Sequence, residues 1–268
     1  VHVICLEEGE HSFGANVQVH SLGKEAGKNR LVYLYRFYKL IWQLRHEYDN
    51  VFVHMNQIYV ILGAPIWRLW NKKVGLWYAH GSVPKSLKLA EKMVNHIFTV
   101  SADSFKLKSN KVLVTGHGID TNTFAPQNVT KDLELITVGR ITPTKNLLKQ
   151  IDILKDVLDK HDVTLTIVGR AVTAHEAEYE REFKSYIEKQ GMSDHVNFVG
   201  SVSQTELPTY LNRAKIVITT AQNGSLDKAM LEAMACGLLI ISMAPGSVSL
   251  PLGANQVNTE SAFISQLN

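Results

Sequence analysis

Short apolar runs alternate along the chain with longer stretches of helical spacing, the pattern of parallel α/β sheets. In the first half, residues 1–6, 15–22, 50–55, 74–80, 96–101 and 111–116 read as strands, and residues 31–48 (LVYLYRFYKLIWQLRHEY) as a helix. In the second half, residues 134–139, 164–169, 196–200, 216–221 and 238–243 read as strands. Helices are expected over 145–160, 176–190, 206–214 and 226–236. The polar stretch 124–131 (FAPQNVTK) reads as a linker, dividing the chain into residues 1–126 and 127–268.

Open α/β sheets bind ligands beyond the carboxyl ends of their strands. Arg140, Gly200, the Asn223–Gly224–Ser225 loop, His80 and residues 116–120 all fall at such ends. In LITVGRITPTKN, a strand runs into Gly139, with Arg140 directly after it and Lys145 five residues on, where a helix should begin. Two cations beside a helix N-terminus can hold a diphosphate. Glu232, in NGSLDKAMLEAMACG, stands on a helix that Ser225 can cap and Gly237 can end.

These motifs carry a family resemblance. VGRITPTKN, VNFVGSVSQTELPTYLNRAKIVITT and GSLDKAMLEAMACGLLIIS resemble the phosphate-binding and nucleotide-binding segments of the retaining glycosyltransferases of family 4; YAHG and VLVTGHGIDTNTFAP resemble two motifs of their first domain and its exit. The specific match runs from about Leu76 to Met243. It implies an α/β protein of the GT-B fold, with two Rossmann-like domains whose parallel sheets face across a cleft. Residues 1–126 would bind the acceptor and residues 127–268 the donor. The resembled family begins one strand, one glycine-rich loop and one helix earlier and closes with further helices, so a fragment at both ends is expected.

The resemblance implies sugar transfer from a nucleoside-diphosphate sugar to a glycan or lipid-linked acceptor, with retention of anomeric configuration. Arg140 and Lys145 would take the leaving diphosphate and His80 would sit beside the donor sugar. Gly139, Gly200, Ser201, Val202, Asn223, Gly224, Ser225, Lys228 and Glu232 would line the donor site, with Glu232 on the ribose hydroxyls and the base near residues 200–203. The family often places a further glutamate eight residues before Glu232; here that position is Gly224, which puts sugar recognition in question. Asp227 is expected to point away from a phosphate, and Lys228 to assist a phosphate or pair with Asp227. His117 stands where the family more often has Asn, and a hinge or cleft-lining role is favoured for it.

Composition narrows the alternatives. The 268 residues are 45% hydrophobic, and two cysteines are too few for a disulfide framework. No apolar run reaches the roughly 18 residues of a membrane span. Residues 1–126 hold 15 basic against 9 acidic side chains and residues 127–268 hold 13 against 16, so the first half suits an anionic partner. Residues 30–45 and 66–73 interleave cations with aromatics; the favoured reading is a helix packed on the sheet with long cations outside, the other peripheral membrane contact. A cytoplasmic protein, peripheral on the inner membrane face, fits both family and charge.

No G-x-G-x-x-G follows an early strand, which argues against a dinucleotide oxidoreductase, and the mild charge argues against a nucleic-acid binder. Neither a D-x-D motif nor a tight histidine cluster is present, so no cofactor and no obligatory metal are expected. Two rivals share the fold: a nucleotide-sugar 2-epimerase, which needs acid/base carboxylates of which no convincing pair is visible, and a non-catalytic nucleotide-sugar binder.

Overall fold

The structure, a computed structural model, describes every residue except Glu10, Ser12, Asp159, Lys160, Asn223, Ser225, Ser249 and Asn268. The chain divides into two compact units. The first holds residues 1–78, 83–98 and 107–113; the second holds 79–82, 99–106 and 114–268.

In the first unit, β1 (His2–Cys5) and β2 (Gln18–Ser21) form a parallel pair. β3 (Asn50–His54), β4 (Lys73–Trp77), β5 (His96–Thr99) and β6 (Val112–Val114) form a four-stranded sheet in chain order, parallel through β3, β4 and β5. Three helices accompany it: α1 (Arg30–Gln43), α2 (Gln57–Leu69) and α3 (Lys85–Met93). Asn29 caps α1 through the amides of Leu31 and Val32. The core is Phe37, Ile41, Val60, Trp67, Leu76, Leu87 and Ile97.

The outer face of α1 carries aromatics as well as the expected cations. Leu31, Tyr35 and Trp42 are exposed on it, and Arg45 stacks on the Trp42 ring at 4.6 Å instead of standing free. Exposed Arg30 and Lys39 share this surface with the aromatic rings, because α1 buries only its Phe37–Ile41 stripe. Among the described residues, no helix is long and apolar enough to cross a membrane.

The second unit holds β7 (Leu133–Val138), β8 (Leu165–Val168), β9 (Val196–Gly200), β10 (Ala214–Thr219) and β11 (Leu239–Ser242), all parallel in the order β11-β10-β7-β8-β9. The chain runs outward from β7 to β9, then returns to β10 on the other side of β7. The order reverses between β7 and β10, and their carboxyl ends flank the point where such sheets take ligands. α4 (Leu147–Leu158), α5 (Ala174–Lys189), α6 (Leu207–Arg213), α7 (Lys228–Ala235) and α8 (Glu260–Leu267) complete the unit. Leu135, Ile151, Leu154, Ile167, Phe183, Ile218, Ile241 and Phe263 form one core, each such side chain contributing roughly 1.5–3 kcal/mol by burial.

Two expectations need correction here. The boundary expected at 126/127 falls inside the second unit, and the expected linker is anchored. Phe124 is buried, the Gln127 amide donates to Asn212 Oδ1 at 2.7 Å, and Asn212 Nδ2 donates to the Ala125 carbonyl at 3.0 Å. α7 starts at Lys228 with Asp227 as its cap; Ser225, expected to cap it, lies outside the described residues.

Candidate functional site

β7 ends at Gly139, whose φ of 139° favours glycine. The chain passes Arg140 and makes one 3-10 turn, Pro143–Lys145; left-handed Asn146 then sets α4 on its course. The Lys145 side chain folds back over Gly139, where a Cβ would lie 2.7 Å from both Cε and Nζ. Residue 139 must therefore carry no side chain for the ammonium to sit at the strand end. That ammonium, on a side chain 18% exposed, is ion-paired with the Asp227 carboxylate. Asp227, expected to point away, is drawn in because the fold supplies Lys145 as its counter-ion. Its other oxygen accepts the Ala229 amide at 3.3 Å and caps α7.

The loops after β7 and β10 are joined at the point of reversal. Thr220 Oγ1 donates to the Asn146 carbonyl at 2.9 Å, and the Gln222 amide donates to the Thr144 carbonyl at 2.9 Å. Glu232 lies one turn into α7 and is only 4% exposed. It accepts a hydrogen bond from Gln204 Nε2 at 2.7 Å and pairs with Lys228 Nζ at 2.8 Å. Lys228 thus serves the glutamate one turn on rather than Asp227. Gln204 follows the expected base-binding residues: Gly200 (φ 82°) closes β9, Ser201 is exposed and Val202 half-buried.

Arg140 is engaged elsewhere. Its Nη1 donates to Glu176 Oε1 at 2.9 Å while the side chain stays 62% exposed. Glu176 belongs to the capping box of α5 with Thr173. The Val172 amide, helped by the Thr173 amide and the Arg140 charge and opposed by burial, holds its carboxyl below the usual range. The two cations expected to clamp one diphosphate thus each have their own carboxylate, Arg140 with Glu176 and Lys145 with Asp227.

His80, exposed, accepts the Ser82 amide on Nδ1 at 3.0 Å. In this contact Nδ1 is the acceptor, which orients the ring. Among the described residues, none comes within 4 Å of where a Gly224 Cβ would stand, so they do not exclude the missing glutamate by crowding. Asn223 and Ser225 lie outside the described residues.

His117, for which a hinge or cleft-lining role is favoured, lies beside the α7 residues of the site. Its ring meets the Leu226 backbone and feels the charges of Lys228, Asp227 and Glu232. Burial is the main cause that pushes its imidazole below the ordinary range; the Leu226 bond opposes this and Lys228 adds to it. A histidine with a lowered folded pKa binds fewer protons than its unfolded counterpart. Its stabilising contribution is present above the unfolded value of about 6.5 and is lost as pH falls toward the folded value. His117→Asn should therefore lose less melting temperature than wild type between pH 7.5 and 5.5; parallel curves would refute the burial of a neutral ring.

Sequence reasoning missed Gln204, Glu176 and Gly169. Gly169 ends β8 at φ 147°, and a Cβ there would fall 1.8 Å from the Gly139 carbonyl oxygen. Its amide donates to the Gly200 carbonyl at 2.7 Å, so glycines 139, 169 and 200 close three neighbouring strand ends. The signal was visible as three strands each ending in Val-Gly. Among the described residues, no group of three or more His, Cys, Asp or Glu gathers into a metal site.

Comparison with known proteins bears on the family and the fold. The chain is 32% identical over 122 residues to the GDP-Man:Man(3)GlcNAc(2)-PP-Dol alpha-1,2-mannosyltransferase of Caenorhabditis elegans, covering 44% of this chain and 26% of that protein. It is 25% identical over 150 residues to the GDP-mannose:cellobiosyl-diphosphopolyprenol alpha-mannosyltransferase of Xanthomonas campestris, covering 55% and 38%. The chain thus spans well under half the length of these curated relatives. Its fold matches Anabaena Alr3699/HepE, solved in complex with UDP, at a TM-score of 0.75 and 19% identity, over 94% of this chain and 75% of that one. The likeness shows the α/β GT-B fold. The family model for glycosyl transferases group 1 matches residues 119–255, just over half the chain and the whole of the Lys145–Asp227–Glu232 constellation, and the chain accordingly belongs to the glycosyl transferases group 1 family.

Proposed function

We propose that this chain binds a nucleoside-diphosphate sugar in its second unit and transfers the sugar to a glycan or lipid-linked acceptor with retention of configuration. The observation that carries this is the joined pair of loops at the β7/β10 reversal, one presenting Lys145 and the other leading to buried Glu232. A cation on one of the joined loops and a carboxylate on the helix that the other leads into match a diphosphate and a ribose diol. The names of the relatives support a lipid-diphosphate-linked acceptor, and the basic first half of the chain accords with it.

In this reading the acceptor attacks from the face the diphosphate leaves, and the departing phosphate oxygen takes the acceptor's proton. Lys145 and Arg140 meet the charge that develops on the leaving group, without an obligatory metal. Each well-placed donor of this kind is worth about 3–4 kcal/mol. Glu232 accepts from the ribose hydroxyls, its bond from Gln204 giving the carboxylate a set direction. The base lies against the backbone of residues 200–203, and His80 sits beside the donor sugar. Positioning and leaving-group stabilisation then supply most of the catalysis.

Thermal melts with GDP, UDP and ADP, with and without EDTA, test this reading. A ligand at about 100 times its Kd adds roughly 2.7 kcal/mol. One base should give a chelator-insensitive upward shift that Glu232→Ala abolishes. No shift with any of the three, or one that Glu232→Ala leaves intact, would be fatal to the assignment.

A further inference from the structure

Asp227 is the feature the family reading does not absorb. It stands three residues after Gly224, where the expected glutamate is absent, and its carboxylate lies in contact with the Lys145 ammonium. In a nucleoside-diphosphate sugar, the ring is bonded directly to the phosphate that Lys145 would take. A carboxylate one contact from that phosphate is therefore within reach of the sugar's hydroxyls.

We propose that Asp227 is a specificity-determining residue of the donor site: it yields Lys145 to the incoming diphosphate and accepts hydrogen bonds from hydroxyls of the donor sugar in exchange. This rests on the nucleotide-sugar reading above. The exchange is balanced only for the intact donor. Asp227 Oδ2 gives up one cationic partner and gains hydroxyl donors, while Oδ1 stays on the Ala229 amide. A bare nucleoside diphosphate also displaces Asp227 from Lys145 but brings no hydroxyl at that place. Its terminal phosphate carries one more negative charge, set against an uncompensated carboxylate. Asp227 thus favours the sugar-loaded donor over the spent product and speeds product release.

The pairing of Lys228 with Glu232 fits this division. Lys228 pairs with the carboxylate at the ribose end, so Asp227, the cap of α7, is the side chain left to meet the phosphate end.

The test compares Asp227→Asn with wild type by calorimetric titration of GDP against GDP-mannose and UDP against UDP-glucose. Asparagine retains the helix cap, and Asp227→Ser, which also caps, serves as the second uncharged variant. Removing the carboxylate should tighten the diphosphate by about tenfold and leave the nucleotide sugar unchanged or weaker. The preference for the sugar-loaded form should therefore fall at least about tenfold in both variants. Equal changes for diphosphate and nucleotide sugar, or a weaker diphosphate, would overturn the role of Asp227 while leaving the nucleotide-sugar reading standing. Failure of the wild-type chain to bind any of the four ligands would overturn both.

Discussion

Replacing Lys145 by alanine is expected to lower the rate of sugar transfer by about 10²–10³-fold while leaving the melting temperature nearly unchanged. The two halves of this expectation have separate causes. The Lys145 ammonium is placed over Gly139 at the carboxyl end of β7, where the diphosphate would gain charge as the glycosidic bond breaks. Only a group whose interaction strengthens in that transition state lowers the barrier. In the fold, the same ammonium serves a partly exposed ion pair with Asp227, and pairs of that kind contribute about 1 kcal/mol or less. Asp227 keeps its capping bond to Ala229 in the variant, so α7 retains its start. Transfer within threefold of wild type would remove Lys145 from the chemistry.

The second large effect is on the fold. Gly169→Ala should destabilise the second unit by about 3–5 kcal/mol, a drop in melting temperature on the order of 10 °C. Positive φ alone costs an L-residue of order 1–3 kcal/mol. Here the new Cβ would also overlap the Gly139 carbonyl oxygen, 1.8 Å away. The conflict is with backbone, so relief means moving the end of β7 and the loop that carries Arg140 and Lys145. Gly191→Ala is the control. Its φ of 70° is also positive, but nothing lies within 4 Å of its Cβ position, and it should cost only about 1 kcal/mol. Equal melting temperatures for the two variants would show that the close approach of residues 139 and 169 is not fixed in solution.

The strands were legible because each is a brief apolar run closed by glycine or polar residues, and the five of the second unit stand where the sequence suggests. α2 was not. It is apolar nearly all round and contains Gly63 and Pro65, so no helical stripe stands out. α3 follows Pro84 with no side-chain cap, and its nine residues give little period to read. Of the site, Lys145 and Glu232 were legible as motif positions on defined elements. Their partners were not, because Gln204 lies 28 residues from Glu232 and Asp227 lies 82 from Lys145. Only the return of the chain from β9 to β10 brings such pairs together. Asp227 was misjudged because its electrostatics were weighed against a phosphate and not against the cation the fold places beside it.

The bonds that join the loops after β7 and β10 bear on entropy. Thr220 holds Asn146 and Gln222 holds Thr144, so these two stretches have one set of motions rather than two. Their ordering is completed when the chain folds. A molecule spanning both meets a surface whose freedom has already been lost, and binding it costs less than ordering two independent loops would. Substitutions at Thr220, far along the sequence from Lys145, accordingly act on the same conformational freedom as substitutions in the Lys145 loop itself.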